Sequence, residues 1–299
     1  MQQQPSTQRA GASRVAVDIR RYPGIRRLAG DYAHGFEPLA PFYAGNPARA
    51  EDWLAAIERA QGHPHQRNQV ADVISAQQQR RGAPPEARAA LERLRQEGTV
   101  AVVTGQQAGA FGGPLYTLLK AITALRLAAR VRQEHHVPAI AVFWIDAEDH
   151  DWDEVSSCTV LDADVQPRTV RLPAPAGAGS LPVGRLPLDG SVSAVLDELA
   201  EVMPPTEFTA SLMTRLRSSY KPGLSTSEAF GRLLEFTLGA FGLVVYDAAD
   251  PAAKNLAGDV FAREVQFPGR TAELAMEAGA QLVRLGYLAQ VTAHADGLS

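Results

Sequence analysis

The sequence predicts an α/β protein with a parallel β-sheet, on three observations. A short β-branched run, TVAVVTG, begins at Thr99, and a second apolar run, AIAVFWI, begins at Ala139. The stretch between them is rich in Ala and Leu and has Pro114 at its start, where the missing N–H of a first helical turn costs nothing. Strand, helix and strand in about 45 residues form a βαβ unit, which implies a parallel sheet covered on both faces.

The chain before and within this unit divides into three segments. Residues 1–14 are polar and predict a disordered terminus, because they cannot bury enough apolar area to offset the entropy of ordering. Residues 15–98 have mainly helical periodicity and lead into the core. Residues 99–155 contain the first βαβ unit and end in an acidic stretch.

The remainder of the chain predicts an insertion and a return to the core. Residues 156–224 combine alternating apolar positions, many Pro and Gly, and two helical stretches, which indicate a connecting insertion with either short antiparallel strands or an excursion from the sheet. Residues 225–299 resume the core with a capping box at Ser225 and Glu228, a third buried strand, GLVVYD, and further helices. The stretch LAQVTAH, from Leu288, predicts one more strand.

Composition limits the classes of function. The chain has 299 residues, is 45% hydrophobic and carries a formal net charge of −4, with 29 Lys and Arg scattered among 33 Asp and Glu. Without a basic face, nucleic acid is not expected as a partner. No apolar run approaches the roughly 20 residues that cross a bilayer, so no membrane partner is expected. A single cysteine, Cys158, excludes an internal disulfide and is typical of a reducing compartment, which predicts a cytoplasmic protein.

A glycine-rich stretch after the first strand is the first candidate site. Backbone N–H groups and the start of a helix suit a phosphate or carboxylate, and a lysine on the helix could neutralise it. The spacing matches neither the dinucleotide GxGxxG pattern nor a Walker A loop, and the glycines could serve only a tight turn and close packing. Lys120 could equally be a solvated lysine. The candidate binding residues are Thr104, Gly105, Gln106, Gln107, Gly109, Gly112, Gly113, Tyr116 and Lys120.

The acidic stretch after the second strand is the other candidate site. Its candidate catalytic residues are Glu148, Asp149, His150 and Asp151. So many carboxylates at a strand end repel one another, which favours a role with a cation, an amine or a proton. His150 could serve as acid or base. The alternative is a solvated acidic turn that caps the next element. The spacing matches no metal-binding loop, so no metal is predicted.

Two adjacent stretches resemble one enzyme family. VVTGQQAGAFGGPLYTLLKAITALRLA followed by VPAIAVFWIDAEDHDWDEV is similar to the bacillithiol-biosynthesis cysteine-adding enzymes, and LPVGRLPL and RLGYLAQV are further matches. The resemblance covers almost all of the chain after its terminus. It implies a Rossmann-like core interrupted by a connecting segment, and a coiled-coil arm that forms homodimers. The arm and the rest of the core are expected beyond Ser299, so this chain is expected to be truncated and its own dimerisation does not follow.

The resemblance also implies a reaction, in which a ligase joins the carboxyl group of L-cysteine to the amine of glucosaminyl malate in the last step of bacillithiol biosynthesis. Such a step needs an activated carboxylate, which suggests ATP as cosubstrate and no tightly bound cofactor. The glycine-rich stretch would then hold a phosphate or the malate carboxylates, and the acidic stretch would hold the amino sugar with His150 as proton acceptor. Two alternatives stay open: another nucleotide-dependent α/β transferase, and a truncated polypeptide that binds ligand without turnover.

Overall fold

A computed structural model describes residues 17–63, 66–289, 291, 293–294 and 297–298. The predicted disordered terminus, residues 1–14, lies outside them. The α-helices are α1 (Arg27–His34), α2 (Ala50–Gly62), α3 (Arg67–Arg81), α4 (Pro85–Leu94), α5 (Tyr116–Glu134), α6 (Trp152–Val155), α7 (Ser191–Val202), α8 (Thr209–Ser219), α9 (Thr226–Leu238), α10 (Pro251–Lys254), α11 (Gly258–Gln266) and α12 (Arg270–Arg284). The β-strands are β1 (Val100–Gln107), β2 (Ala139–Asp146), β3 (Ser157–Leu161), β4 (Pro167–Arg171), β5 (Leu243–Asp247), β6 (Ala293–His294) and β7 (Gly297–Leu298).

Three strands form the parallel sheet that the sequence predicts. β2 lies in the centre, with β1 on one side and β5 on the other, and both pairings are parallel. The register places Gln107 opposite Asp146 and Ile145 opposite Asp247, so the three strands end at the same edge. The continuous apolar runs of these strands are typical of a sheet that is covered on both faces.

Helices cover the two faces of the sheet. On one face, Ile140 and Val244 form a buried cluster with Ile74 of α3 and Leu91 of α4. On the other face, the ring of Phe143 lies 6.0 Å from that of Phe230 in α9, measured between centroids. Because successive residues of a strand point to opposite faces, Phe143 and its neighbours in β2 serve both helical layers. The α/β layering expected from the sequence is confirmed.

The inserted segment has a core of its own that extends to the loop after β1. β3 and β4 pair antiparallel, and with α7 and α8 they bury a cluster of apolar residues that includes Trp152, Leu196 and Leu216. Phe111 from the glycine-rich loop joins this cluster and packs edge-on against Tyr220, with ring centroids 5.1 Å apart. The short antiparallel strands and helices predicted here are confirmed, and the insertion supports the loop.

Three boundaries differ from the sequence-based expectation. β1 continues to Gln107 because β2 pairs with it as far as Asp146, so Gln106 and Gln107 belong to the strand and not to the loop. α5 begins at Tyr116, so Pro114 precedes the helix instead of lying in its first turn. The predicted last strand contributes only β6, which pairs antiparallel with β7 in a separate two-stranded sheet.

The chain divides into two compact units. Of the described residues, those within 1–56 and 264–299 form one unit, and those within 57–263 form the other. The predicted lead-in and the predicted continuation of the core therefore each contribute to both units. Within the first unit, Leu39 and Tyr287 belong to a small buried cluster, and the Tyr287 hydroxyl donates to Asp31 Oδ2 at 2.9 Å. The parallel sheet and both candidate sites lie in the second unit.

Candidate functional site

The carboxyl edge of the parallel sheet carries the candidate site. In open α/β sheets, ligands bind beyond the carboxyl ends of the strands. The glycine-rich loop follows β1, the acidic stretch follows β2, and residues 248–250 follow β5. The shared register of the three strands brings these segments to one edge, although about 100 residues separate the second strand from the third.

Gln107 joins the ends of the first two strands. Its side-chain amide, Nε2, donates to Glu154 Oε2 at 2.9 Å and to Asp149 Oδ2 at 3.4 Å. The amide group therefore bridges the last residue of β1 to the acidic stretch and to the first turn of α6. This contact brings the end of β1 and the acidic stretch face to face.

Gln106 takes part in a different group of side chains. Lys120 Nζ donates to Gln106 Oε1 at 2.9 Å and lies 5.1 Å from the centroid of the Tyr116 ring. Gln106 Nε2 donates to the Tyr116 hydroxyl at 3.4 Å. Adjacent residues of a strand point to opposite faces. Gln106 therefore contacts Tyr116 and Lys120, whereas Gln107 contacts the acidic stretch, and the predicted binding residues fall into two groups. Tyr116 and Lys120 lie on one face of α5, and an anion near Lys120 would compete with Gln106.

Three glycine N–H groups of the glycine-rich loop already have partners. Gly109 donates to Gln107 O at 2.8 Å and Gly113 donates to Ala110 O at 3.1 Å. Gly112 N lies 3.2 Å from Gly109 O and 3.1 Å from the hydroxyl of the buried Tyr220. An anion held by these groups would have to replace these bonds.

Below the loop, the Thr117 hydroxyl is buried without a hydrogen-bond partner among the described residues. An ideal Cβ placed on Gly113 would lie 3.4 Å from its oxygen. Because buried polar groups normally have a partner, the loop retains one unused donor and acceptor at the start of α5.

Each of the four glycines of the glycine-rich stretch, one in β1 and three in the loop, has a structural reason to be glycine. A Cβ on Gly105 would lie 2.8 Å from the carbonyl oxygen of Trp144, and one on Gly109 would lie 2.8 Å from the Cα of Gly113. Gly112 and Gly113 have φ values of +105° and +67°, which L side chains rarely adopt. Close packing and turn geometry therefore account for all four glycines before any ligand is considered.

The acidic stretch is organised by its own hydrogen bonds. Asp149 Oδ1 accepts from the backbone N–H of His150 at 2.6 Å, and Asp151 Oδ1 accepts from Glu154 N at 3.2 Å and caps α6. Glu148 forms an ion pair with Lys254 of α10. These partners reduce the repulsion among the carboxylates. The His150 side chain is exposed and makes no hydrogen bond or ion pair within the described part of the chain, so it is free to reach a ligand.

A cavity of about 350 Å³ opens beside the end of β5. Its size lies within the usual range of roughly 300–1,000 Å³ for small-molecule sites. No local sequence pattern predicts this cavity as a whole, because its walls come from four distant segments. The stretch YDAAD, in which a buried strand ends in one aspartate and a second aspartate follows, repeats the pattern at the end of β2. That repetition could have indicated a site at the end of β5. The lining residues are Arg80, Arg81, Gly184, Arg185, Ser225, Ser227, Glu228, Asp247, Ala249, Asp250 and Pro251.

Asp247 lies at the centre of a polar network in this cavity. Its Oδ2 is 2.6 Å from Ser227 Oγ, and its Oδ1 accepts from Ala249 N at 3.0 Å. The side-chain amide of Gln77 forms two hydrogen bonds with the backbone of Asp247, each 2.9 Å long, and extends the pairing of β5. Burial raises the pKa of Asp247, and the nearby carboxylate of Asp250 adds to the rise. A buried carboxylate with a perturbed pKa in a cleft is a candidate functional group.

Two backbone hydrogen bonds join the wall of the cavity to the end of β2 and the acidic stretch. Gly184 N donates to Ala147 O at 2.9 Å, and Val183 N donates to Asp149 O at 2.7 Å. A Cβ on Gly184 would lie only 2.4 Å from that of Ala147, so the two backbones approach each other closely. The segment before Arg185 is thus fixed to the end of β2.

Comparison with known proteins identifies the family. The model of a family described as "Bacillithiol biosynthesis BshC, N-terminal Rossmann-like domain" matches residues 16–298. The chain belongs to the BshC family. Its Rossmann-like fold is the fold that the sequence motifs implied, and the parallel sheet described above is the core of this domain.

Curated relatives support the assignment to BshC. Proteins named "Putative cysteine ligase BshC" are 36% identical in Salinibacter ruber, 33% in Koribacter versatilis and 34% in Symbiobacterium thermophilum. The matches cover 90%, 94% and 84% of this chain and 49%, 52% and 48% of the relatives. The chain thus spans about half the length of the BshC relatives that it matches. These names associate the family with ligase activity in bacillithiol biosynthesis.

Two further observations concern this BshC chain. Within the described residues, no group of three or more His, Cys, Asp or Glu side chains is arranged to hold a metal ion. No helix in the described part of the chain has both the length and the apolar character needed to cross a membrane.

Proposed function

We propose that this chain provides the substrate-binding edge of a ligase that joins L-cysteine to glucosaminyl malate, as the last step of bacillithiol biosynthesis, with ATP as cosubstrate. One observation carries the proposal. The carboxyl ends of three parallel strands gather Gln107, the acidic stretch with His150, and the Asp247 cavity at a single edge of the sheet. A bimolecular ligation needs such neighbouring subsites, because holding both reactants together removes much of its entropic cost.

The reaction needs an activated acyl group. A phosphoryl or adenylyl group is transferred from ATP to a carboxylate oxygen of cysteine, and ADP or pyrophosphate leaves. The amine of glucosaminyl malate then attacks the acyl carbon, the C–N bond forms, the activated oxygen leaves with its phosphate group, and the amine loses one proton. A side chain that accepts this proton accelerates the step, typically by about 10²–10⁴-fold.

We assign to His150 the role of accepting the proton that the amine loses. It is exposed, it follows β2 directly, and its imidazole is not engaged by other described side chains. Glu148, Asp149 and Asp151 surround it with acceptors for sugar hydroxyls or for the amine, although each of them already has a protein partner.

The phosphate groups or the malate carboxylates are assigned to the glycine-rich loop and Lys120. The unused Thr117 hydroxyl supports a ligand at this place. The existing bonds of Gly112 and Lys120 indicate that such a ligand must compete with Tyr220 and Gln106.

Turnover by the purified protein tests the proposal. L-cysteine, glucosaminyl malate and ATP are incubated with the protein, and bacillithiol is measured by mass spectrometry, together with ADP and AMP. Product that requires all three substrates supports the ligase, and the nucleotide formed identifies the activated intermediate. Nucleotide hydrolysis stimulated by a different acceptor would instead favour another nucleotide-dependent transferase.

Ligand binding without product would favour the alternative of a polypeptide that binds ligand without turnover. In that case calorimetry would detect cysteine, glucosaminyl malate or ATP while mass spectrometry would detect no bacillithiol under any combination of substrates. The chain would then be a binding polypeptide that does not turn over by itself.

A further inference from the structure

The cavity beside β5 holds opposite charges in a defined arrangement. Three arginines and three carboxylates line it, so its net charge is balanced. Most of these groups pair with each other or with neighbours: Arg80 with Asp250, Arg81 with Glu235, and Glu228 with Arg232. The charged groups that remain determine which ligand fits.

Asp247 is the unpaired negative group. It is only 8% exposed, and its carboxylate accepts from a serine hydroxyl and from one backbone N–H. No Lys, Arg or His forms an ion pair with it among the residues that the structure describes. A buried carboxylate without a cationic partner is costly, and a ligand cation would reduce that cost.

Ser227 cannot fully satisfy its two neighbours. Its Oγ lies 2.6 Å from Asp247 Oδ2 and 2.9 Å from the carbonyl oxygen of Gly184, and both neighbours are acceptors when Asp247 is ionised. A serine hydroxyl has one hydrogen to donate. The hydroxyl can therefore donate to only one of these two acceptors, and a ligand N–H group near Asp247 would supply a second donor.

Arg185 is the unpaired positive group. Its side chain is exposed at the rim of the same cavity, and it forms no ion pair or side-chain hydrogen bond within the described residues. A guanidinium binds a carboxylate through two parallel hydrogen bonds, which makes it suitable for recognising a small carboxylic acid. Ala249 and Pro251 contribute apolar groups to the lining of the same cavity.

We infer that this cavity binds the ammonium and carboxylate groups of a free α-amino acid, with Asp247 facing the ammonium and Arg185 facing the carboxylate. The inference deepens the proposed function, on which it rests for the identity of that amino acid as L-cysteine. A phosphate or a dicarboxylate would bring negative charge to Asp247, and a simple amine would leave Arg185 without a partner. A zwitterion satisfies both groups.

The position of Arg185 also suits the reaction. The bonds from Val183 and Gly184 to Asp149 and Ala147 fix this segment beside the acidic stretch. A carboxylate held at Arg185 would therefore lie next to the stretch that carries His150, where the attacking amine is proposed to bind.

Calorimetric titration with three thiols tests the inference one group at a time. The purified protein is titrated, with and without ATP and under reducing conditions, with L-cysteine, with 3-mercaptopropionate, which lacks the ammonium, and with cysteamine, which lacks the carboxylate. L-cysteine is expected to bind at least about tenfold more tightly than either analogue, because each analogue lacks one charge-assisted contact.

Two variants assign the charges. Asp247→Asn should remove the advantage of L-cysteine over 3-mercaptopropionate and keep its advantage over cysteamine. Arg185→Ala should remove the advantage of L-cysteine over cysteamine and keep its advantage over 3-mercaptopropionate. Asp164→Asn and Arg168→Ala, both on the hairpin of β3 and β4, are matched controls that should keep the affinity and both preferences. Circular dichroism verifies that each variant is folded.

The outcomes separate this inference from the proposed function. Absence of L-cysteine binding, or unchanged preferences in both variants, would overturn the inference. Tighter binding of inorganic phosphate or malate than of L-cysteine, lost in Arg185→Ala, would overturn it in favour of an anion site. Formation of bacillithiol with an unchanged KM for cysteine in both variants would contradict the inference and leave the ligase intact. Group-dependent cysteine binding without any product would support the cavity assignment and contradict the ligase.

Discussion

The guanidinium of Arg81 and the carboxylate of Glu235 form a two-pronged ion pair shielded from water. Arg81 Nε lies 3.0 Å from Glu235 Oε2, and Nη2 lies 2.7 Å from Oε1. The two side chains are 3% and 2% exposed. Nη2 also donates to Val245 O in β5 at 2.7 Å. The pair thus joins the end of α3 to α9 and to the sheet, and Arg81 also lines the Asp247 cavity.

Removing one member of this pair is expected to destabilise the protein strongly. Glu235→Ala leaves a buried guanidinium without its partner, which typically costs about 3–5 kcal/mol. The double variant Arg81→Met with Glu235→Leu should lose much less than the sum of the single changes. Urea denaturation measures each free energy of unfolding. Glu134→Ala, which breaks the exposed Arg130 pair on α5, is the control and should cost at most about 0.5 kcal/mol. Similar losses in Glu235→Ala and Glu134→Ala would show that the buried pair contributes little.

Asp247→Asn is expected to make the protein more stable at pH 7, by on the order of 1 kcal/mol. Burial raises the pKa of Asp247 above its ordinary value of 3.8, with Asp250 adding to the rise and Arg81 opposing it. The folded protein then holds a proton that the unfolded chain releases, so this contribution to stability is complete below pH 3.8 and declines as the pH rises through the folded-state pKa.

Asparagine removes this dependence. Its amide can donate to Ser227 and accept from Ala249, as a protonated aspartate would. Urea denaturation at several pH values should therefore show an advantage of the variant that is largest at neutral pH and shrinks as the pH falls. An advantage that grows towards low pH would mean that the folded-state pKa is not raised.

Tyr220→Phe is expected to loosen the glycine-rich loop. The hydroxyl lies 3.1 Å from Gly112 N and 3.3 Å from Gly109 O, and the side chain is 2% exposed. Its loss should cost about 1 kcal/mol and should accelerate hydrogen exchange at the Gly112 amide. Tyr246→Phe is a suitable control, because no hydrogen bond to its hydroxyl exists within the described residues. Unchanged exchange at Gly112 would mean that Tyr220 does not hold the loop.

Gly105→Ala is expected to destabilise the sheet. The added Cβ would lie 2.8 Å from the backbone carbonyl oxygen of Trp144, which cannot move without disturbing β2. Overpacking of this kind costs about 1–3 kcal/mol. Gly258→Ala, where a Cβ meets nothing within 4 Å, should change the stability by at most about 0.5 kcal/mol. Thermal unfolding of both variants makes the comparison, and equal melting temperatures would refute the packing explanation.

His150→Ala is expected to reduce bacillithiol formation by about 100-fold or more while the melting temperature stays nearly unchanged. The side chain is exposed and makes no contact on which folding depends. His135→Ala, at the end of α5 and before β2, changes the same residue type at the opposite edge of the sheet. Its activity should remain close to normal. A parallel loss of stability and activity in His150→Ala would indicate a structural role.

Local patterns were sufficient for the main elements of the fold. The apolar β-branched runs at Val100 and Ala139 predicted buried parallel strands, because a strand covered on both faces has no need for polar alternation. Ser225 was predicted to cap a helix, and its hydroxyl accepts from Glu228 N at 3.2 Å. Both features depend only on residues that are close together in the sequence.

The strand ends were predicted less well. Whether Gln106 and Gln107 belong to a strand or a loop depends on how far β2 runs alongside them, and no local pattern contains that information. Once both lie in the strand, its alternation directs one towards Lys120 and the other towards Asp149. The sequence could predict that these residues are near a site, but not that they would be divided between two groups.

The sequence by itself determined the parallel sheet, the family and the edge at which polar residues collect, because periodicity, capping and contiguous motifs are properties of neighbouring residues. Only the tertiary structure decided that Gln77, Arg185, Ser227 and Asp247 share one cavity. These residues come from segments up to 170 positions apart. Whether a charged side chain can bind a ligand here depends on burial, which removes water from Asp247 and leaves Arg185 exposed. Burial is a property of the whole packed unit and not of neighbouring residues.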